Sequence, residues 1–168
     1  MFDATPLIYL AKISLLEAAL DACEAFVTES VEKETTENTE YPDALVIKDS
    51  IERGLLKVHS PKNEAKIAAL ARHPEIHLGE AETLVSAEEL KAHAIIDDQE
   101  AKAVAKMYHI STHPGTLYIL LRLVATGRLR PSEAEEKLDQ MISVGLYLDP
   151  RTHVAAKRKL REYQTHQA

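Results

Sequence analysis

The stretch Ala94-Ile95-Ile96-Asp97-Asp98-Gln99-Glu100-Ala101 restricts the architecture more than any other part of the chain. A short apolar run stops at two aspartates, and a helical pattern begins at once, with Ala101, Val104, Ala105 and Tyr108 on one face. A strand that ends in acids and runs straight into a helix is a unit of parallel sheet construction. In an open α/β sheet, the carboxyl edge of the strands is where ligands bind. The reading is that acids distant in sequence meet Asp98 at that edge and hold a metal.

The rest of the chain repeats this alternation. Met1-Phe2-Asp3 can only be the end of a strand, and a very short one. Thr5-Pro6 has N-cap and first-turn character, since Pro is preset for the first helical position. Ser14 to Glu17 has capping-box spacing and opens a second helix that runs towards Cys23. Strands are expected at 25–28, 55–59, 94–97 and 109–112, and a last short one at 146–148. Between them lie helical patterns at 30–38, 43–53 (capped by Asp43), 62–72, 79–90, 115–126 and 131–145, with a closing helix from Asp149-Pro150 onwards. Strand–helix alternation with short connections implies right-handed crossovers and a parallel sheet covered on both faces. The fold class expected is therefore α/β, a three-layer α/β/α sandwich around a central parallel sheet, with residues 1–168 forming a single domain.

Composition narrows the classes of function. The chain has 168 residues, enough to bury a substantial core, and 45% of them are hydrophobic. No apolar run approaches the roughly 18 residues of a membrane span. Asp3, Lys12 and Glu17 interrupt the N-terminal apolar runs, which excludes a secretory signal there and makes the cytoplasm the expected location. The single cysteine, Cys23, rules out an internal disulfide and reads as a buried thiol. A net charge of −7 argues against binding RNA by phosphate neutralisation alone. It does not argue against a metal-dependent nuclease, whose carboxylates contribute negative charge that divalent ions neutralise. The basic groups Arg122, Arg128, Arg130 and Lys157, Arg158, Lys159, Arg161 read as solvated helix faces.

Four acids share a context: Asp3 ends a strand, Glu34 lies in the helix after the second strand, Glu80 opens a helix, and Asp98 follows a strand. Each alone has an ordinary explanation, because an acid in the first turn of a helix stabilises it by roughly 0.3–1 kcal/mol. Glu34 also has Glu29, Glu32, Glu37 and Glu40 around it, as a solvated acidic face would. As a set they mean more. Carboxylates gathered in one cleft repel one another unless a cation lies between them. Hard oxygen donors suit Mg2+ or Mn2+. Such a centre can orient a phosphodiester and lower the pKa of a bound water.

Four blocks carry a family resemblance. Asp3-Ala4-Thr5-Pro6-Leu7-Ile8-Tyr9-Leu10-Ala11-Lys12-Ile13 resembles the opening motif of PIN-domain proteins, in a subgroup related to the VapC-like toxin nucleases. Val27 to Glu34 resembles their second block, Leu78 to Leu84 the third and Ile95 to Ala101 the fourth, with Gly115-Thr116-Leu117 a further family turn. The blocks lie in the family's order and cover roughly residues 1–125, leaving 128–168 for C-terminal helices and a short strand. The resemblance implies a PIN-like α/β/α fold with the first strand in the middle of the sheet. It implies a hydrolase, a ribonuclease directed at single-stranded RNA that uses Mg2+ or Mn2+. Carried over residue by residue, Asp3, Glu34, Glu80 and Asp98 match the acidic quartet. Asp3 and Asp98 would be direct or water-mediated metal ligands, and Glu34 and Glu80 would hold metal-bound waters or a second ion. Thr5 matches a small hydroxyl position that could hydrogen-bond the cluster or the scissile phosphate, while Ala4 stands where a hydroxyl residue is more usual. Asp97 and Glu82 are the neighbouring alternatives should the register differ. Glu80 and Glu82 point about 200° apart on a helix, so only one of them faces the cleft. The resemblance also implies toxin–antitoxin pairing, with an antitoxin segment laying Arg or Lys across the acids, and a homodimer formed through apolar helices.

Other constellations carry less. His73 and His77 have i,i+4 spacing, but Pro74 breaks the helix that would align them for zinc. His109 and His113 flank an expected strand and read as ordinary histidines. No glycine-rich phosphate loop or GxSxG elbow is present. Two other functions compete with the nuclease. One is a PIN-like binding or regulatory module that is catalytically weak or inactive. The other is a phospho-acceptor receiver domain, which ranks below it because Asp149 comes after the last expected strand where that chemistry needs a lysine.

Overall fold

A computed structural model describes residues 1–167; Ala168, the last residue of the expected domain, lies outside them. Four strands of three residues each are present: β1 (Ala25–Val27), β2 (Leu56–Val58), β3 (Ala94–Ile96) and β4 (Thr112–Pro114). β1 pairs with β2, and β3 with β4, both parallel. Residues 1–3 join the two pairs. The Phe2 N–H donates to the Phe26 carbonyl at 2.8 Å, the Ile95 N–H to the Met1 carbonyl at 2.8 Å, and the Asp3 N–H to the Ile95 carbonyl at 3.1 Å. Phe2 and Ile95 form a parallel bridge. The spatial order is thus β2, β1, residues 1–3, β3, β4, with the chain's first residues in the centre.

Alternation along these strands divides the core into two layers. Phe2, Ala25, Val27, Leu56 and Ile95 face one side, where they pack with Leu7 and Leu10 of α1 (Ala4–Lys12) and with Leu120 and Leu123 of α8 (Gly115–Ala125). Met1, Ala94 and Ile96 face the other, against Leu84 and Val85 of α6 (Leu78–Glu89) and Ala101 and Ala105 of α7 (Gln99–Met107). α2 (Leu16–Leu20), α3 (Glu29–Thr36) and α4 (Pro42–Glu52) complete the first layer, and α5 (Glu64–Leu70) completes the second. α9 (Pro131–Ser143) and α10 (Pro150–Gln167) extend the first layer through Leu138, Met141, Ala156 and Leu160. The arrangement is the expected α/β/α sandwich. The apolar helix α8 belongs to the core: Leu120 and Leu123 are buried, and Leu117, Tyr118 and Leu121 pack against them.

Several local expectations need correction, and three of them share one cause. Several helices in this chain, α1, α6, α7 and α9 among them, are followed by a residue at positive φ, whose N–H and that of its successor return to carbonyls of the last turn. Ser14, at φ +58°, is that residue for α1: its N–H donates to Ala11 and the Leu15 N–H to Leu10. It closes α1 rather than capping α2. His109, at φ +57°, does the same for α7, so the strand begins at Thr112 and not at 109. Gly145 and Leu146 close α9 in this way, and residues 146–149 form no strand. At the helix starts, Asp3 rather than Thr5 is the N-cap of α1, which puts Pro6 in the third helical position. Tyr41 rather than Asp43 precedes α4, with Pro42 first in the helix. Cys23 lies beyond the end of α2 and is exposed.

A non-glycine residue in the left-handed region costs roughly 1–2 kcal/mol. Lys91 closes α6 at φ +52° and is exposed. The Lys91→Gly variant is expected to be more stable than the parent by up to about 1 kcal/mol, read from the midpoint of urea denaturation.

Candidate active site

The carboxyl edge of the sheet gathers the acids because three chain segments leave it there. Asp3 comes directly after the central segment. Its side chain is 7% exposed and makes no side-chain cap bond to α1. Burial, together with the nearby carboxylates Glu80, Glu34 and Asp97, pushes its pKa up to about 7, against a smaller downward pull from the Ala4 N–H. Asp97 and Asp98 come after β3. Thr28, fully buried after β1, accepts the Val31 N–H and starts α3, the helix that carries Glu34. An ideal Cβ built on Gly79, in the first turn of α6, would lie 4.0 Å from Oε2 of Glu34, which fixes that carboxylate beside the helix bearing Glu80.

Most of these acids also serve the backbone. Glu80 accepts the His77 N–H at 2.9 Å and so caps its own helix. Its pKa is nevertheless raised, by burial first and then by Asp98 and Glu34, despite the downward pull of the His77 N–H. Asp98 is the N-cap of α7 and accepts the Ala101 N–H at 2.7 Å. Asp97 is gripped from the start of α8. The Thr116 N–H donates to Oδ1 at 3.0 Å, and the Thr116 hydroxyl to Oδ2 at 2.5 Å. Burial raises the Asp97 pKa, while those bonds and the Lys102 ammonium pull it down. Asp3 is the member whose burial is least compensated.

The structure therefore brings Asp3, Glu34, Glu80, Asp97 and Asp98 to one rim. Glu80 rather than Glu82 faces Glu34 and Asp98, and no described interaction ties Glu82 to the group. Thr5 is half-buried in the first turn of α1, without a described hydrogen bond from its hydroxyl. Among the described residues, no three His, Cys, Asp or Glu side chains already converge to ligate one ion. The caps give the reason: Glu80 and Asp98 each turn an oxygen onto backbone N–H groups. The donor chemistry fits a hard divalent ion all the same. Every candidate donor is a carboxylate oxygen, and Asp3 lies buried among like charges that a cation would offset.

Three residues of this neighbourhood have contacts that sequence reasoning did not assign. Thr116 is fully buried, and its hydroxyl is spent on Asp97. Lys102, four residues after Asp98, donates to the Asp97 carbonyl at 3.1 Å; burial lowers its pKa, and Asp97 and Asp98 draw it back up. That spacing of four was the available signal. Tyr9 is half-buried, and burial and then Asp97 hold its hydroxyl pKa above the usual value. Of the flagged histidines, His77 adjoins the acids through its backbone N–H on Glu80, while His73 and His113 make ring contacts. His73 meets the Tyr108 ring edge-on, and His113 stacks between His93 and Tyr118. The His93, His113 and Tyr118 rings line a cavity of about 300 Å³ with Met1, Cys23 and Arg122, at the opposite edge of the sheet from the five acids.

Gly115 and Asp3 each offer a test of this geometry. A Cβ at position 115 would lie 1.9 Å from Oδ1 of Asp97, at a backbone φ of +44°. The Gly115→Ala variant should lose on the order of 2–4 kcal/mol in chemical denaturation. Asp3 has a folded pKa of about 7 against an ordinary 3.8. Its contribution to stability is thus fully present below about pH 4 and is lost as pH rises through about 7. In EDTA, the melting temperature of the parent should fall relative to that of Asp3→Asn between pH 4 and 8. Equal slopes for the two proteins would count against the burial of this charge.

Comparison with known proteins supplies the family. No curated protein and no solved structure matches this chain. A family model described as DUF3368, a PIN domain, matches residues 1–162. That span takes in the strand-end acids, the capped helices behind them, α9 and the greater part of α10. The chain belongs to the PIN-domain family, a nuclease-type fold.

Proposed function

We propose that this protein is a metal-dependent endoribonuclease that hydrolyses phosphodiester bonds of single-stranded RNA. The observation that carries the reading is the buried Asp3 carboxyl, facing Glu34, Glu80 and Asp97 at the carboxyl edge of a parallel sheet. PIN domains generally use divalent metals, which agrees with the all-oxygen donor set.

Asp3, Glu34, Glu80 and Asp98 are the residues that would hold Mg2+ or Mn2+. Such an ion supplies positive charge towards a phosphodiester and lowers the pKa of water. The protein's own part is to keep the donors in place. Thr116 and Lys102 fix Asp97 and the turn after β3, so that Asp98 emerges at a set position. The His77 N–H holds Glu80, and Glu34 is held against the first turn of α6. Asp3, with a pKa of about 7, can hold or release a proton near neutral pH while no cation is present. The net charge of −7 makes RNA affinity depend on the ion. A toxin role, with an antitoxin laying Arg or Lys across this rim, is part of the same proposal, as is a homodimer. Exposed Leu45 and Val46 on α4 are apolar surface that a second copy could cover.

The test is cleavage of single-stranded RNA with Mn2+, with and without EDTA. The parent should cut and EDTA should stop it. Asp98→Asn should lower the rate by about ten- to a hundredfold. Asparagine caps helices as well as aspartate does, so that variant should melt close to the parent. No cutting by the parent would leave the fold to a binding or regulatory role, and an unchanged rate in Asp98→Asn would mean that the cutting does not come from this acid rim.

A further inference from the structure

Beside the acids, a groove of about 250 Å³ runs between α1, α3 and α4, lined by Lys12, Glu34, Asn38, Tyr41 and Asp43. Glu34 belongs both to this groove and to the acid group, so the two are continuous. The Lys12 ammonium lies over the ring of Tyr9 on the same helix, 5.7 Å from its centroid.

Beside the acids Glu34 and Asp43, the groove carries side chains the acid rim does not: an aromatic ring, a lysine and a carboxamide. Tyr41 is 59% exposed, directly before α4, and its ring has no described aromatic partner. A large aromatic ring held out at the end of a helix buries little of its own surface, so it contributes little to the core. Lys12 is exposed and, among the described residues, makes no ion pair, although acids outnumber bases in this chain by 27 to 20. Asn38 uses its carbonyl oxygen to accept the Glu40 N–H, which leaves its amide N–H groups free to donate. A flat ring, a cation without an acid and a carboxamide donor match the three parts of a nucleotide: a base face, a phosphate and a base edge. Asp43 on the same wall can accept from an amino group of a base. α1 rises about 1.5 Å per residue, so Lys12 lies roughly 13 Å along the helix from Asp3. That separation places the groove under a nucleotide flanking the bond to be cut.

We propose that this groove is a subsite for a single-stranded RNA nucleotide next to the scissile phosphate, with Tyr41 stacking on its base and Lys12 on its phosphate. The proposal rests on the nuclease reading above and adds to it the residues that seat the substrate. Glu34 argues for the order of events: the groove accepts a polyanion only once the acid rim carries its cation.

The experiment uses the full-length protein in Ca2+ with a fluorescein-labelled single-stranded RNA of about ten nucleotides, read by anisotropy. Cleavage of the same RNA in Mn2+ is measured alongside. Tyr41→Ala should weaken binding by about five- to a hundredfold, and Tyr41→Phe should restore it to within about twofold, since both aromatic rings stack. Lys12→Gln should lower the slope of log affinity against log salt by about 0.7. Both positions are exposed, so circular dichroism melts should overlay the parent. If the parent binds and cuts RNA but Tyr41→Ala and Lys12→Gln do so equally well, the subsite is refuted while the nuclease reading stands, and the groove is left to a protein partner. If the parent neither binds nor cuts, the nuclease reading falls and takes the subsite with it.

Discussion

Three backbone hydrogen bonds decide this structure. They run from residues 1–3 to Phe26 on one side and to Ile95 on the other, and they turn two separate strand pairs into one sheet. Each strand has only three residues, so no pair would be stable by itself. The central position also commits every side chain in the segment. Phe2 and Met1 enter opposite core layers, and Asp3, one residue on, has nowhere to go but the carboxyl edge. Burial of Asp3 is therefore not an independent feature of the site. It results from placing a three-residue segment in the middle of the sheet.

Around Asp3 the fold combines two demands on its carboxylates. Glu80 and Asp98 begin helices and neutralise backbone N–H groups there, a role any globular protein needs. The same helix starts converge because the parallel sheet points all of them at one rim. Helix capping and the accumulation of negative charge thus come from the same residues. Asp97 shows how tightly this is organised. Its carboxylate fills the space a Cβ would take at Gly115 and is held by both polar groups of Thr116. The α8 start, the β3 end and the acid rim are one unit.

Much of this was legible from the residues. The alternation of short apolar runs with helical periodicity pointed to the sandwich, and strand-end acids pointed to the carboxyl edge. Helical geometry allowed only one of Glu80 and Glu82 to face the cleft, and the family resemblance picked out Glu80. The hidden features were non-local or conformational. Ser14 and His109 carry no sign that they adopt positive φ, a conformation set by how α1 packs against α2 and how α7 turns back towards β4. Capping patterns misled at Thr5 and Asp43, because the helices begin one or two residues earlier, where the chain leaves the sheet or a Pro permits it. The grip of Thr116 on Asp97 joins residues 19 apart in sequence and could not be read from either.

The outermost strands have a consequence for solubility. A sheet of this kind leaves two unpaired edges that could template association with another chain. Here both edges are only three residues long, β4 ends in Pro114, which has no N–H to offer, and β2 carries the exposed Lys57 at its middle. Lys57 is bound to Glu24 at 2.6 Å and lies over the Phe26 ring of β1, which keeps a polar, charged residue in the middle of the edge strand. Brevity, a missing donor and a fixed charge together guard the sheet against edge-to-edge aggregation.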